Sequence, residues 1–250
     1  MERFTSKDYI NYVLESKNVK LEDIKVGEVV ILSWFNNVID YLKDKYNGVN
    51  PSYNTFGKRH EIYNINVNGK LVTLFYSSIG APATIAAMEE LRELGGKVFI
   101  GIGLAGSLNE NLKLGDLLIP YESIREEGTS YHYLDHKDNV YPCEELKCKM
   151  ENSLKIIGYK YIVGSQWTTD AIYKETLDQI EKYSKLGVYG VDMETSAMYA
   201  FGQATNTKVC NILAISDELW HKWNPGFGGE IVLGGLEKAT KVVEELIKKL

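Results

Sequence analysis

The most constraining feature of this chain is a glycine-rich strand end that leads into a second strand without an intervening helix. Residues 97–102 predict a strand, and Gly101, Gly103 and Gly106 fit the spacing G-x-G-x-x-G. A dinucleotide-binding fold needs a helix directly after the third glycine, because the N-terminus of that helix holds the pyrophosphate. Here polar residues follow, and a second strand over 116–120 begins too soon for a crossover helix. The sequence therefore excludes a dinucleotide-binding fingerprint at this position.

Strand and helix signals alternate along the chain from about residue 71. The predicted strands cover about 71–76, 97–102, 116–120, 161–164, 188–191 and 209–215. The predicted helices cover about 82–94, 144–157, 175–185, 193–202 and 230–250. No linker, low-complexity segment or repeat interrupts this order. We therefore predict a single α/β domain over residues 1–250, with a central mixed β-sheet flanked by helices.

Charge and composition exclude several classes of partner. The chain has 28 basic and 34 acidic residues and a formal net charge of -6, which offers nucleic acid no basic surface. No apolar run has the length of a membrane span, and residues 1–4 lack the apolar core of a secretion signal. Three cysteines cannot all pair within one chain. We expect a cytoplasmic protein without a disulfide framework.

One short window combines residues that often bind metal ions. It contains His132, His136, Cys143 and Cys148. Structural zinc sites place cysteine pairs two to four residues apart, and these cysteines do not have that spacing. We interpret them as loop and helix residues and predict no metal site.

Three predicted strand ends carry polar or glycine residues: 101–106, 192–194 and 216–217. Each has a structural explanation, since glycines let a strand bend and Asp192 or Asp217 can cap the residues that follow. In α/β folds, however, ligands bind beyond the carboxyl ends of strands. Three such ends at one sheet edge favour a binding site.

An ordered set of short motifs supports this interpretation. The motifs are SIGAP at 78–82, GLAGSL at 103–108, LGD at 114–116, TDAIY at 169–173, GVDMETSA at 190–197 and ISD at 215–217. Together they resemble the nucleoside phosphorylase family, which includes purine nucleoside phosphorylase, uridine phosphorylase and methylthioadenosine nucleosidase. The resemblance implies a three-layer fold with its motif-bearing core over 71–220 and a C-terminal helix over 230–250, whereas residues 1–70 match weakly.

The resemblance also implies roles for individual residues. Glu194 would accept hydrogen bonds from ribose hydroxyls and take part in catalysis, with Met193 packing under the sugar. Asp217 would protonate or hydrogen-bond a purine base as the bond breaks, which is typically worth ~10²–10⁴ in rate. The base site would also include Ile172, Tyr173 and Asp192. Ile172 stands where the family has an aromatic residue, so stacking on the base is absent.

The phosphate site is where the sequence departs from the family. Gly101 and Leu104 stand where the phosphorylases have an arginine and a serine or threonine, and the early loop with its arginine is missing. A phosphate dianion needs cationic partners. The candidate phosphate-binding residues are Lys58, Arg59, Arg125 and the backbone of Gly103, with Lys174 as a further possibility. No acidic residue lies between Val29 and Asn37, so the water-activating glutamate of the hydrolases is missing too.

These features predict phosphorolysis of a purine nucleoside to free base and ribose 1-phosphate. Inorganic phosphate would be the co-substrate, and no cofactor is expected. The alternatives are a uridine phosphorylase, a hydrolase of the methylthioadenosine nucleosidase type, and a non-catalytic nucleoside-binding protein. The resemblance further implies a homo-oligomer, either a dimer or a hexamer, in which Lys58 and Arg59 face the site of a neighbouring subunit.

Overall fold

A computed structural model describes residues 3–24, 26–51 and 62–250. Its seven α-helices in this part of the chain are α1 (Ser6–Lys17), α2 (Asn36–Lys45), α3 (Ala81–Glu93), α4 (Glu144–Ile157), α5 (Leu177–Lys185), α6 (Thr195–Thr205) and α7 (Glu230–Ile247). The strands are β1 (Val29–Ser33), β2 (Ile62–Val67), β3 (Lys70–Tyr76), β4 (Val98–Ser107), β5 (Leu117–Glu126), β6 (Tyr161–Thr169), β7 (Val188–Asp192), β8 (Lys208–Glu218) and β9 (Asn224–Pro225).

The nine strands form one mixed sheet in the order β2-β3-β1-β4-β7-β6-β5-β8-β9. β4 also pairs in parallel with β8 over the whole length of both strands, so β4, β7, β6, β5 and β8 close into a ring. The ladder between β4 and β8 is interrupted once. Ala105 pairs with Ile215 and Gly106 with Asp217, which leaves Ser216 as the extra residue of a β-bulge. Bulges of this kind re-aim side chains and are frequent beside active sites.

Helices cover both faces of the sheet and give three layers. α2, α4 and α7 bury their apolar residues against one face, where Leu42, Leu154 and Leu246 belong to one continuous core. α3 and α6 pack on the other face, where Met88 and Phe201 are fully buried. The predicted fold class, a mixed sheet flanked by helices, is confirmed.

Local signals in the sequence place most elements correctly. α3 has Pro82 in its first turn and buries Ile85, Met88 and Leu91, as its apolar spacing predicts. The prediction for β4 was too short, because the strand continues through its glycines to Ser107. The prediction for α6 began too early, because residues 193–194 still belong to the turn before the helix. No helix in the described part of the chain is long and apolar enough to cross a membrane.

Candidate active site

A cavity of about 240 Å³ opens where β4, β7 and β8 end. Its wall includes four acidic side chains, those of Glu175, Asp192, Glu194 and Asp217. The rest of the wall is largely apolar and comprises Trp34, Phe35, Ile79, Leu104, Ala105, Gly106, Ile172, Val191, Met193, Ser216, Leu219 and Phe227. The three polar strand ends predicted from the sequence therefore meet at one pocket, as expected for the carboxyl ends of strands in an α/β fold.

Glu194 lies in the turn between β7 and α6, and its carboxylate accepts a hydrogen bond from the backbone N–H of Gly80 at 2.6 Å. The side chain is buried, and burial together with the nearby charge of Asp192 raises the pKa of Glu194 to about 8. The hydrogen bond from Gly80 works in the opposite direction, since it favours the charged form. One oxygen is thus fixed by the protein, and the group lies on the wall of the pocket.

Asp192 is the last residue of β7, and it combines a place on the pocket wall with a capping role. Its oxygens accept hydrogen bonds from the Thr168 hydroxyl at 2.7 Å, from the Thr195 N–H at 3.2 Å and from the Thr195 hydroxyl. It therefore caps the N-terminus of α6, the structural alternative considered for it. Burial raises the pKa of Asp192 to about 6, although these hydrogen bonds lower it.

Asp217 lies at the β-bulge of β8, and both of its oxygens accept hydrogen bonds. The Ser216 hydroxyl donates at 2.7 Å and the indole N–H of Trp223 donates at 2.9 Å. Gly106 faces it across the ladder, and a Cβ there would lie 3.3 Å from Asp217 Oδ1 and only 2.8 Å from Leu219 Cδ1. The glycine at 106 therefore allows β8 to approach β4 closely at the pocket.

A family model described as the phosphorylase superfamily matches residues 28–250. This chain belongs to the phosphorylase superfamily. Guanosine phosphorylase of Halorubrum lacusprofundi is 23% identical over 191 residues, which cover 76% of this chain and 78% of the relative.

Two solved structures show the same fold. Purine nucleoside phosphorylase of Toxoplasma gondii in complex with immucillin-H has a TM-score of 0.82 at 24% identity, with 92% of this chain and 93% of that chain covered. Uridine phosphorylase of Vibrio fischeri ES114 also has a TM-score of 0.82, at 25% identity and with 93% and 95% covered. The homologues and the fold of this superfamily member are thus those of nucleoside phosphorylases, of both the purine and the uridine kind.

Of the residues expected from the superfamily resemblance, Asp192, Met193, Glu194, Asp217 and Ile172 line the pocket. Tyr173 does not line it, and its side chain is 96% exposed. The chain turns at residues 172–174 in a short 3-10 helix, so neighbouring side chains point in different directions. The structure therefore brings Ile172 to the site and leaves Tyr173 at the surface.

The candidate phosphate ligands are not brought together at this pocket. Arg125 is buried elsewhere, and its guanidinium donates to the Ser130 hydroxyl and to the carbonyls of Leu134, Asp135 and Asp138. These four bonds fix the loop after β5. Lys58 and Arg59 lie outside the described residues. No lysine, arginine or histidine of the described residues lines the pocket.

Gly103 is also absent from the pocket wall, because the Trp34 ring lies beside it. A Cβ at Gly103 would be 2.9 Å from Trp34 Cζ3. The indole N–H of Trp34 donates to the Thr84 hydroxyl at 3.0 Å, which fixes the ring between β4 and α3. Trp34 and the adjacent Phe35 thus give this superfamily member an aromatic surface at the end of β1. Both residues lie between Val29 and Asn37, where the family has its early loop, and no sequence motif marks them as site residues.

Glu175 is a further residue of the site that no sequence motif marks. It follows the 3-10 turn and lies on the pocket wall. Burial, and to a smaller extent the charge of Asp217, raises the pKa of Glu175 to about 7. A glutamate between a lysine and a threonine is typical of an exposed segment, and only the fold shows that Glu175 lies near Asp217.

Proposed function

We propose that this protein cleaves the N-glycosidic bond of a purine nucleoside, with inorganic phosphate as co-substrate, and releases free base and ribose 1-phosphate. The best support is the position of Glu194 and Asp217, which line one cavity together with Met193. Membership of the phosphorylase superfamily supports the reaction class. Purine is favoured over uracil by the Ser216-Asp217 pair and by the absence of a Gln-x-Arg after Tyr173.

The chemistry of the bond suits these groups. Its cleavage develops positive charge on the ribose and negative charge on the departing base. The carboxyl group of Glu194 accepts hydrogen bonds from ribose hydroxyls, and in its ionised form it stabilises the positive sugar. Asp217 forms a hydrogen bond with the departing base.

Hydrolysis is a second candidate, and one observation favours it. The described residues supply four acidic groups and no cation to the pocket wall. A phosphate dianion in such a pocket needs cationic partners, whereas a water molecule does not. Lys58 and Arg59 remain candidates for those partners.

A product assay separates the candidates. Inosine, guanosine, adenosine and uridine are incubated with the protein, with and without phosphate, and the sugar product is identified. We expect ribose 1-phosphate from the purine nucleosides only, at a rate that saturates with phosphate. Free ribose at a phosphate-independent rate would establish the hydrolase, and preference for uridine would establish the uridine phosphorylase. No cleavage of any nucleoside would contradict an enzymatic function and leave nucleoside binding.

We also propose that the protein works in the cytoplasm as a homo-oligomer, a dimer or a hexamer. The family resemblance described above supports the homo-oligomer, and three cysteines that cannot all pair within one chain support the cytoplasm.

A further inference from the structure

Three of the four carboxyl groups on the pocket wall are already engaged by the protein. Asp192 and Asp217 accept hydrogen bonds at both oxygens, and Glu194 accepts one from Gly80. Glu175 differs from them. Among the described residues, no donor or cation reaches its carboxyl group, which faces the cavity with all of its hydrogen-bonding capacity free.

The backbone fixes Glu175 at this place. The next residue, Thr176, is the N-cap of α5 and forms a reciprocal capping box with Gln179. The capping box holds the chain at the point where Glu175 enters the pocket. The side chain is only half-buried, so protons can exchange with solvent.

The charged groups that face Glu175 are all acidic. Asp217 comes from β8, Asp192 from the end of β7 and Glu194 from the turn before α6, and no cation of the described residues lines the cavity. Burial and the charge of Asp217 raise the pKa of Glu175 to about 7. A carboxyl group of this kind holds a proton near neutral pH and can give it away, which is the requirement for a general acid.

We propose that Glu175 is the proton donor to the leaving base, and that Asp217 remains a hydrogen-bond acceptor. This role rests on the proposed function. As the C1′–N bond breaks, its electron pair passes to the base, and the Glu175 proton moves to a ring nitrogen of the base. Glu175 is left as a carboxylate and recovers a proton from solvent after the base departs.

The test compares Glu175→Gln with wild type over pH 5–9. Because glutamine cannot transfer a proton, we expect kcat/KM for inosine to fall ~10²-fold at pH 6. Above pH 7 the wild type loses its protonated glutamate, so the ratio of wild-type to variant kcat/KM should shrink about tenfold per pH unit. The ratio cancels the titration of phosphate and of the other carboxyl groups. A 7-methylated purine nucleoside needs no proton, and its ratio should stay near one.

Two further variants sharpen the result. Asp178→Asn removes an exposed carboxylate three residues away and should leave the profile unchanged. Asp217→Asn should lower kcat/KM. The decrease of kcat/KM at alkaline pH should persist but begin at a lower pH, because the charge that helps to raise the pKa of Glu175 is removed. If Glu175 only supports the start of α5, the ratio of wild-type to Glu175→Gln kcat/KM is the same at every pH. That result overturns the proposal.

Failure of the proposed function gives a different pattern. A wild type that cleaves no nucleoside contradicts it, and calorimetric binding of free hypoxanthine then tests Glu175 by itself. The affinity of the wild type should fall as the pH rises from 6 to 8. It should fall less steeply in Glu175→Gln, where Asp192 and Glu194 still change charge but residue 175 does not. Equal pH dependence in both proteins, or no binding, overturns the role of Glu175.

Discussion

Asp192 and Glu194 are two buried carboxyl groups with no cation of the described residues beside them on the pocket wall. Burial raises the pKa of both, and for Glu194 the charge of Asp192 adds to the effect. Such groups cost folding free energy when they are ionised. At the proposed ribose site, a ligand with hydroxyl groups would gain from a negative charge, so the proposed function and the stability of the fold oppose each other at Glu194.

Glu194→Gln should therefore separate these two effects. Because the folded-state pKa is raised, the protonated form stabilises the fold fully below about pH 4.5, and this contribution is lost as the pH rises through about 8. Glutamine is neutral at every pH and can still accept from Gly80. We expect the variant to be more stable than wild type by about 1 kcal/mol or more at pH 8 and equally stable at pH 4, since one pKa unit corresponds to about 1.4 kcal/mol.

Thermal unfolding at both pH values and the product assay check this prediction. The variant should lose most turnover, because an accepting oxygen is replaced by an amide donor. Glu110→Gln changes an exposed glutamate and should alter neither quantity. Near wild-type turnover in Glu194→Gln would contradict the ribose-binding role, and lower stability at pH 8 would contradict the electrostatic account.

Individual elements show how far the sequence could predict this structure. α3, α4 and α7 have apolar stripes that local spacing reveals, and these helices lie where they were expected. The glycine-rich end of β4 could not be predicted, because isolated glycines weaken a strand and pairing with the distant strands β8 and β7 extends it to Ser107. The pocket, too, is only partly predictable from local sequence. Glu194 and Asp217 stand in recognisable motifs, whereas Trp34 and Glu175 join them only through the crossing of distant segments.

Two adjacent glycines in α7 give a matched test of packing. A Cβ at Gly234 meets no atom within 4 Å, whereas one at Gly235 would lie 2.9 Å from Gly115 Cα. Gly234→Ala should stabilise the protein by ~0.5–1 kcal/mol, because alanine loses less backbone entropy in a helix. Gly235→Ala should destabilise it by ~1–3 kcal/mol through overpacking. Urea unfolding of both variants measures the difference, and equal effects would contradict the close approach of α7 to the loop before β5.

At the scale of the whole molecule, large apolar side chains stand exposed on and around the pocket wall. They include Ile79, Ile172, Tyr173 and Phe227, with exposures of 64%, 44%, 96% and 53%. Exposed apolar groups that cluster beside a site are typical of interaction surfaces. They agree with the expected homo-oligomer, in which a neighbouring subunit contributes to the site.

Sedimentation velocity tests the expected homo-oligomer. We predict a dimer or hexamer at micromolar concentration, and we expect Tyr173→Asp to shift the distribution toward monomer, because it places a charge among apolar contacts. Lys7→Asp, a charge change at an exposed residue of α1, is the control. A wild-type monomer that keeps full activity on dilution would contradict the prediction.

Three of the four tryptophans of this chain give it an optical property. Trp34 lies on the cavity wall, and Trp223 donates its indole N–H to Asp217. Trp167 is fully buried beside Tyr183, away from the cavity wall. Indole emission responds to local polarity and hydrogen bonding, so a ligand that enters the cavity should change the fluorescence of the first two and leave that of the third as an internal reference. Occupancy can then be followed without any turnover, and Trp34→Phe and Trp223→Phe will assign the signal to the cavity wall or to the hydrogen-bond partner of Asp217.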